Sequence, residues 1–265
     1  MNDASAAVLY RRQDHIGVIT LNRPDNRNSM TPDLLDGFTR AVGEVRADAD
    51  VRCVVITGNG HCFCAGADFR SVVQRQGEGR PRLANERSFA MYTPFLSILD
   101  VEVPVLAALN GHAVGGGFGL ALMCDIRIGN EQAKYGANFT RLGLSPGMAI
   151  SYLLPRLVGV SRAAELLFTG RLFPGVEAER MGLFSAAVDG PEVLPRTMEL
   201  ARAIAASAPV AVRLTKRIMY QGLDWQPRAG AWREAYDQAL TIESRDASEG
   251  VAALLGKREP AFTGE

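Results

Sequence analysis

The stretch Pro104 to Gly129, PVLAALNGHAVGGGFGLALMCDIRIG, limits what this chain can fold into more than any other. Val105 to Leu109 are apolar without interruption, bounded by a proline and by Asn-Gly. A run of that length and composition is a strand buried on both faces. A glycine triplet (Gly115 to Gly117) leads into a segment apolar on every side, and then into a second strand, CDIRIG. Upstream, RCVVITG has the same buried-strand character and ends in Gly58 and Gly60. Strand, helix, strand, helix in this order predicts an α/β fold whose parallel strands are joined by right-handed crossovers.

The remaining segments fit around that frame. Val8–Arg12 and Ile16–Leu21 alternate around QDH and predict an opening hairpin. Thr31 is an N-cap, with Pro32 at the first helical position and Asp33 in the first turn, so a helix follows. The arginine-rich stretch between Arg70 and Arg87 has little hydrophobic order and reads as a mobile surface segment. FAMYTPFLSILDVEV returns to a helical pattern. After Ser161 the chain changes character: SRAAELLFTG, PRTMELARAIAASAPVAVRLTKRIMYQGL and AWREAYDQALTIESRDASEGVAALLGKR are amphipathic helices with few strand signals. A helical C-terminal module on or beside the α/β part is expected, with no low-complexity linker between them.

Composition excludes several functions. Lys plus Arg and Asp plus Glu are 29 each, so no net field draws the chain to nucleic acid or to an anionic membrane. The N-terminal residues carry no apolar run long enough for a signal peptide or a membrane span, and a soluble, cytoplasmic protein is expected. Cys62-x-Cys64 beside His61 hints at zinc, but a second ligand pair is missing. The four cysteines read instead as small buried hydrophobes, and no metal is expected.

Two segments look built to bring main-chain donors together. CAGAD follows the VVITG strand, and NGHAVGGG follows VLAALNG and opens a helix. Both lie past the carboxyl ends of parallel strands, where open α/β sheets collect ligands. Small residues there let a ligand approach the main chain, and the helix starting near Gly117 adds its dipole to unpaired N–H groups. Glycine content alone favours the plainer reading, a tight turn with close helix packing. The run lacks the spacing of a dinucleotide fingerprint or a P-loop, and no G-x-S-x-G serine occurs.

Taken in order, LNRPDNRNSM, VVITGNGHCFCAGADF, PVLAALNGHAVGGGFGLALMCDIRI, AKYGANFTRLGLSPG, LPRLVGVSRAAELLFTGR and EGVAALLGKREPAF resemble the crotonase superfamily, the enoyl-CoA hydratase/isomerase family. The resemblance implies a spiral of ββα turns over about residues 1–200 and a helical C-terminal trimerisation region over 201–265. It further implies homotrimers, often paired into hexamers, and an acyl-CoA thioester as ligand, with coenzyme A entering as part of the substrate and no separate cofactor. Carried over by position, the oxyanion donors are the backbone N–H groups of Ala67 and Gly116. Ala65, Asp68, Phe69, Gly115, Gly119, Phe139 and Ser145 border the substrate, and Arg27 and Lys257 are candidates for the nucleotide end of CoA.

The resemblance also exposes a departure. Family hydratases place two glutamates across the enoyl double bond; here those positions hold Gly119 and Phe139, neither able to bind a water or move a proton. Gly119, Phe139 and the later Ser151-Tyr152 pair look similar to the aryl-CoA dehalogenase branch, yet the attacking aspartate of that branch is Gly147 here. The dienoyl-CoA isomerases place an aspartate at about the same spot and lose it too. Asn138, Arg141, Ser145, His61, His112, Glu86 and Tyr92 are the polar residues left near the site. His112 reads as packing, and His61 as closing the strand end. Two functions follow: acyl-CoA chemistry resting on an oxyanion hole with poor hydratase activity (isomerisation, decarboxylation or hydrolysis), or an acyl-CoA binding protein without turnover.

Overall fold

A computed structural model describes residues 4–68 and 83–265. The segment expected to be a mobile surface stretch lies largely outside the described residues, and Phe69 with it. The main sheet has six strands in the order β1-β2-β3-β5-β7-β10. These are β1 (Val8–Gln13), β2 (Ile16–Leu21), β3 (Cys53–Gly58), β5 (Val105–Leu109), β7 (Ile126–Asn130) and β10 (Ala186–Val188). β1 and β2 form the expected antiparallel hairpin, and every other neighbouring pair is parallel.

The period-two geometry of a strand explains why these runs are apolar throughout. Ile19, Leu21, Val54, Ile56, Val105, Ala107 and Leu109 face one apolar cluster. The alternating residues Ile16, Val18, Cys53, Val55, Leu106, Ala108 and Ile128 face another. Helix α1 (Pro32–Ala47) covers the first face with Leu34, Leu35, Phe38, Ala41, Val42 and Val45. Its Phe38 meets Phe95 edge-on at 4.9 Å, Phe95 belonging to α2 (Ala84–Leu96). Thr31 precedes Pro32 as expected, but its side chain makes no cap bond; its hydroxyl bonds the Asp33 carboxylate instead.

A second, four-stranded sheet orders β4 (Cys62–Cys64), β6 (His112–Val114), β8 (Lys134–Gly136) and β9 (Phe173–Pro174). Each of the first three short strands follows a long one, so β3–β4, β5–β6 and β7–β8 are successive turns of a spiral. Helix α3 (Gly116–Met123) closes the β5–β6 turn, with all eight residues buried. Further along come α4 (Ile150–Val158), α5 (Val160–Thr169) and α6 (Gly175–Arg180).

Helix α7 (Val193–Ala205) covers the second face of the main sheet through Val193, Met198, Ala201 and Ala205. A boundary between residues 200 and 201 would cut this helix; the chain breaks instead at Ala206–Ala208, ahead of Pro209. Beyond it lie α8 (Pro209–Gln221), α9 (Pro227–Ile242) and α10 (Arg245–Gly256). Ser244 caps α10, its hydroxyl accepting from the Ala247 N–H at 3.0 Å. Lys216 of α8 ties this region to the sheet: its ammonium meets Asp125 at 2.8 Å and donates to the carbonyls of Val101 and Val103. Among the described residues no helix is long and apolar enough to cross a membrane.

Candidate functional site

The two small-residue turns meet. Each follows a short strand of the second sheet, β4 or β6, that the sequence pattern alone does not distinguish from turn. Gly66 has φ +84, and a Cβ there would lie 2.6 Å from the Val114 carbonyl oxygen and 3.0 Å from the Gly116 nitrogen. Only glycine lets the two main chains come this close. Three bonds hold the turns: Met30 N–H to Gly66 O at 2.9 Å, Ala65 N–H to Arg27 O at 3.0 Å, and Gly115 N–H to Gly136 O at 3.0 Å. Ala65, Ala67 and Asp68 are half-buried around the buried Gly66.

Gly115, at φ +56 and ψ −120, turns the chain into α3, whose first intrahelical bond runs from Gly119 N–H to Gly115 O at 3.0 Å. Gly116 is the first residue of α3, so its N–H has no partner inside the helix. Among the described residues, neither this N–H nor that of Ala67 donates to another protein group. At the other end of α3 the buried Arg127 donates to the carbonyls of Cys124 and Leu183. That placement sets a cation on the negative end of the helix dipole.

Side chains crowd the positions that the resemblance assigned to carboxylates. A Cβ on Gly119 would collide with the Cβ of Met148 and lie 3.1 Å from its carbonyl oxygen. Met148 is buried, and both it and Ala149 have left-handed backbones (φ +56 and +55). Two non-glycine residues in succession there store about 1–3 kcal/mol each, all to set Met148 against Gly119. Met30 presses its sulfur on Gly116 from another side. The Phe139 ring and the Asn138 carboxamide oxygen both stand 3.8 Å from where a Cβ on Gly115 would be. The phenol oxygen of Tyr92 stands where a Cβ on Gly147 would be. Met30, Met148 and the double left-handed turn have no signature in the sequence, because Met-Ala is not a pair that favours positive φ.

Other sequence candidates are engaged elsewhere. Glu86 accepts from Leu83 N–H at 3.2 Å, closing the first turn of α2. Arg141 donates through Nε to Thr169 O at 3.0 Å, at the end of α5. The Nδ1 of His112 accepts from Lys134 N–H at 2.8 Å, and burial lowers its pKa. This ring therefore sits neutral as a brace for β8. His61 is exposed, with its main chain packed on Gly111. Ser145 is exposed beyond the 3-10 turn Phe139–Leu142. Tyr152 points outward under Arg156, 3.6 Å from its ring centre. Arg27 reaches the site through its carbonyl, which holds Ala65, while its side chain is exposed. Lys257 is exposed at the C-terminus of α10, and no described contact joins it to the turns.

The thiols are held in the neutral form by burial. All four cysteines are buried and free, and burial pushes Cys53, Cys64 and Cys124 up to about 12 and Cys62 up to about 11. The Cys62 thiol donates to His112 O at 3.0 Å. Among the described residues no cluster of His, Cys, Asp or Glu is arranged to hold a metal.

A family model described as enoyl-CoA hydratase/isomerase matches residues 11–265. The chain belongs to the enoyl-CoA hydratase/isomerase family. YngF of Bacillus subtilis (strain 168) is 36% identical over 257 residues, covering 96% of either chain. The mitochondrial enoyl-CoA hydratase domain-containing protein 2 of Bos taurus is 36% identical over 255 residues, 94% of this chain and 85% of that one. The crystal structure of enoyl-CoA hydratase from Bacillus anthracis superposes with a TM-score of 0.91 at 34% identity, covering 98% of this chain and all of the other. The crotonase fold and its spiral of ββα turns are thus common to this chain and to solved members of the family.

Proposed function

We propose that this protein binds an acyl-CoA thioester and polarises its carbonyl with the main-chain N–H groups of Ala67 and Gly116, while hydrating ordinary enoyl-CoA substrates poorly. The observation that carries this reading is the meeting of the two turns at Gly66 and Gly116, where, among the described residues, neither the Ala67 nor the Gly116 N–H donates to another protein group. Two such donors aimed at a developing oxyanion stabilise the transition state by about 3–4 kcal/mol each. A thioester enolate is the species that such a pair favours.

Poor hydration follows from what stands in place of the two glutamates. Met148 fills the space at Gly119, and Phe139 offers a ring, so neither of these two positions supplies a carboxylate to hold and split water. General acid–base groups contribute about 10²–10⁴-fold each. An apolar lining instead favours an apolar or aromatic acyl group, since no buried charge must be desolvated. Ala65, Asp68, Phe69, Gly115 and Ser145 are assigned to the acyl and pantetheine path, Arg27 and Lys257 to the nucleotide end. Coenzyme A enters with the substrate.

Reactions that need an enolate but little acid–base help fit best. Decarboxylation needs least, because departure of carbon dioxide itself generates the enolate. We assign trimeric assembly, or a dimer of trimers, to the C-terminal helices, which carry exposed Trp232, Tyr236, Leu254 and Leu255. Incubation with a mixture of acyl-CoAs, malonyl-type thioesters included, followed by mass spectrometry, tests the reading. A new thioester product is expected. Tight binding with no product would favour a carrier of acyl-CoA, since affinity survives loss of the acids. Failure to bind any acyl-CoA would overturn the reading.

A further inference from the structure

The three positions where family members carry an acid are filled here by three different side chains. Two are inert in proton transfer: Met148 over Gly119, and Phe139 itself. The third is a phenol. Tyr92, on α2, sets its hydroxyl against the Cα of Gly147, with its Cζ 2.8 Å from where a Cβ on Gly147 would be. Gly147 directly precedes Met148, whose Cγ lies 3.7 Å from where a Cβ on Gly116 would be. The phenol is therefore one residue along the chain from the side chain that covers both Gly116 and Gly119. Tyr92 is half-buried against the main core, and among the described residues its hydroxyl has no hydrogen-bond partner. By contrast the Tyr135 hydroxyl, with its single proton, has two carbonyl acceptors in reach, Asn130 O at 3.0 Å and Leu109 O at 3.2 Å.

From this geometry we infer that Tyr92 is the proton donor of the site, its hydroxyl delivering the proton to the carbon of a thioester enolate. The inference rests on the proposal that Ala67 and Gly116 hold the thioester carbonyl. A phenol donates and accepts, and Gly147 is what gives it room, since any Cβ there would displace its oxygen. For a malonyl-type thioester the step balances as follows. The bond from Cα to the carboxylate breaks, its electron pair enters the enolate and carbon dioxide leaves. The enolate Cα then forms a C–H bond with the phenol proton, and the resulting phenolate takes a proton from water. Glu86, the nearest acidic candidate on the same helix, is held at the first turn by Leu83 N–H.

The test compares wild-type protein with Tyr92→Phe, Gly147→Ala and Tyr152→Phe on a panel of crotonyl-, malonyl-, methylmalonyl- and benzoyl-CoA. Binding is read by calorimetry and turnover by mass spectrometry. Tyr92→Phe is expected to keep binding and KM within about 3-fold while kcat falls about 100-fold or more. Gly147→Ala should lower kcat in the same direction by pushing the phenol aside, and Tyr152→Phe, at the exposed tyrosine under Arg156, should change nothing. With methylmalonyl-CoA in heavy water, the wild type is expected to give one enantiomeric configuration at the deuterated Cα, and Tyr92→Phe a racemic centre, which a merely structural tyrosine would not produce. Turnover by Tyr92→Phe at the wild-type rate and stereochemistry overturns the role of the phenol and leaves the thioester reading standing. Binding without turnover by the wild type also overturns it, in favour of a carrier. No binding at all overturns the thioester reading, and the role of Tyr92 with it.

Discussion

The helix that opens the site and the helices that end the chain bury their residues in opposite ways. Every residue of α3, from Gly116 to Met123, is buried, apolar ones and glycines alike. In α9 the buried residue is Asp237, held by Arg217 at 2.9 Å, while Trp232 (81% exposed), Tyr236 and Leu240 face outward. In α10 Leu254 and Leu255 are 77% and 79% exposed. Several large apolar side chains exposed together on neighbouring helices are the kind of feature that protein contacts cover. One helix is packed on every side within the single chain, whereas the C-terminal helices leave large apolar side chains uncovered in it, which is why assembly is proposed there.

Paired glycine substitutions break that comparison most sharply. A methyl at Gly117 would strike the Cys64 carbonyl and lie 2.6 Å from the Cys64 Cβ, whereas one at Gly230 in α9 meets nothing within 4 Å. Gly117→Ala is expected to cost about 3 kcal/mol or more, or to yield insoluble protein. Gly230→Ala should stabilise by about 0.5–1 kcal/mol. Denaturant midpoints check both.

Lys216→Met severs the ion pair that joins the two regions and strands Asp125, which also accepts from Val105 N–H at 2.6 Å. Removing one partner of a pair this buried costs about 3 kcal/mol. The loss should appear in chemical denaturation as earlier unfolding of the helices relative to the sheet. A smaller stability effect is expected from Trp232→Glu combined with Leu254→Glu: the monomer changes by no more than about 0.5 kcal/mol per site, but sedimentation shows a lower oligomeric state. Unchanged assembly would remove the C-terminal helices from the interface.

The smallest effect near neutrality concerns the thiols. Burial raises them above the ordinary thiol value of 9.0, to about 12 at Cys53, Cys64 and Cys124. The raised native values contribute stability that is fully present below pH 9 and is lost as pH climbs towards 12. At pH 8 the native protein should therefore resist thiol-labelling reagents, and all four cysteines should react only on unfolding.

The long strands were legible because a strand buried on both faces must be apolar at every position, and VVITG and VLAAL are. The short strands β4, β6, β8 and β9 were not, since two or three residues carry no periodicity; they are defined by pairing across the spiral. Glu86 shows another limit. It closes the first turn of its helix opposite Leu83, and leucine is not among the residues that announce an N-cap. Gly119 could be read as an absent carboxylate, but the residue that takes its space could not. Met148 arrives through two left-handed residues that only the folded chain imposes. Arg141 was a site candidate by position and is bonded instead to the Thr169 carbonyl at the end of α5, whereas His112, read as packing, does brace β8 through the Lys134 N–H.

Hydration of crotonyl-CoA by the wild-type protein tests most directly the proposal that this site lacks the acid–base pair needed to add water. On the proposal that Gly119 and Phe139 stand in place of the acid–base pair, turnover is expected roughly 10⁴-fold or more below the ~10–10³ s⁻¹ of efficient enzymes. Turnover within that ordinary range would contradict it.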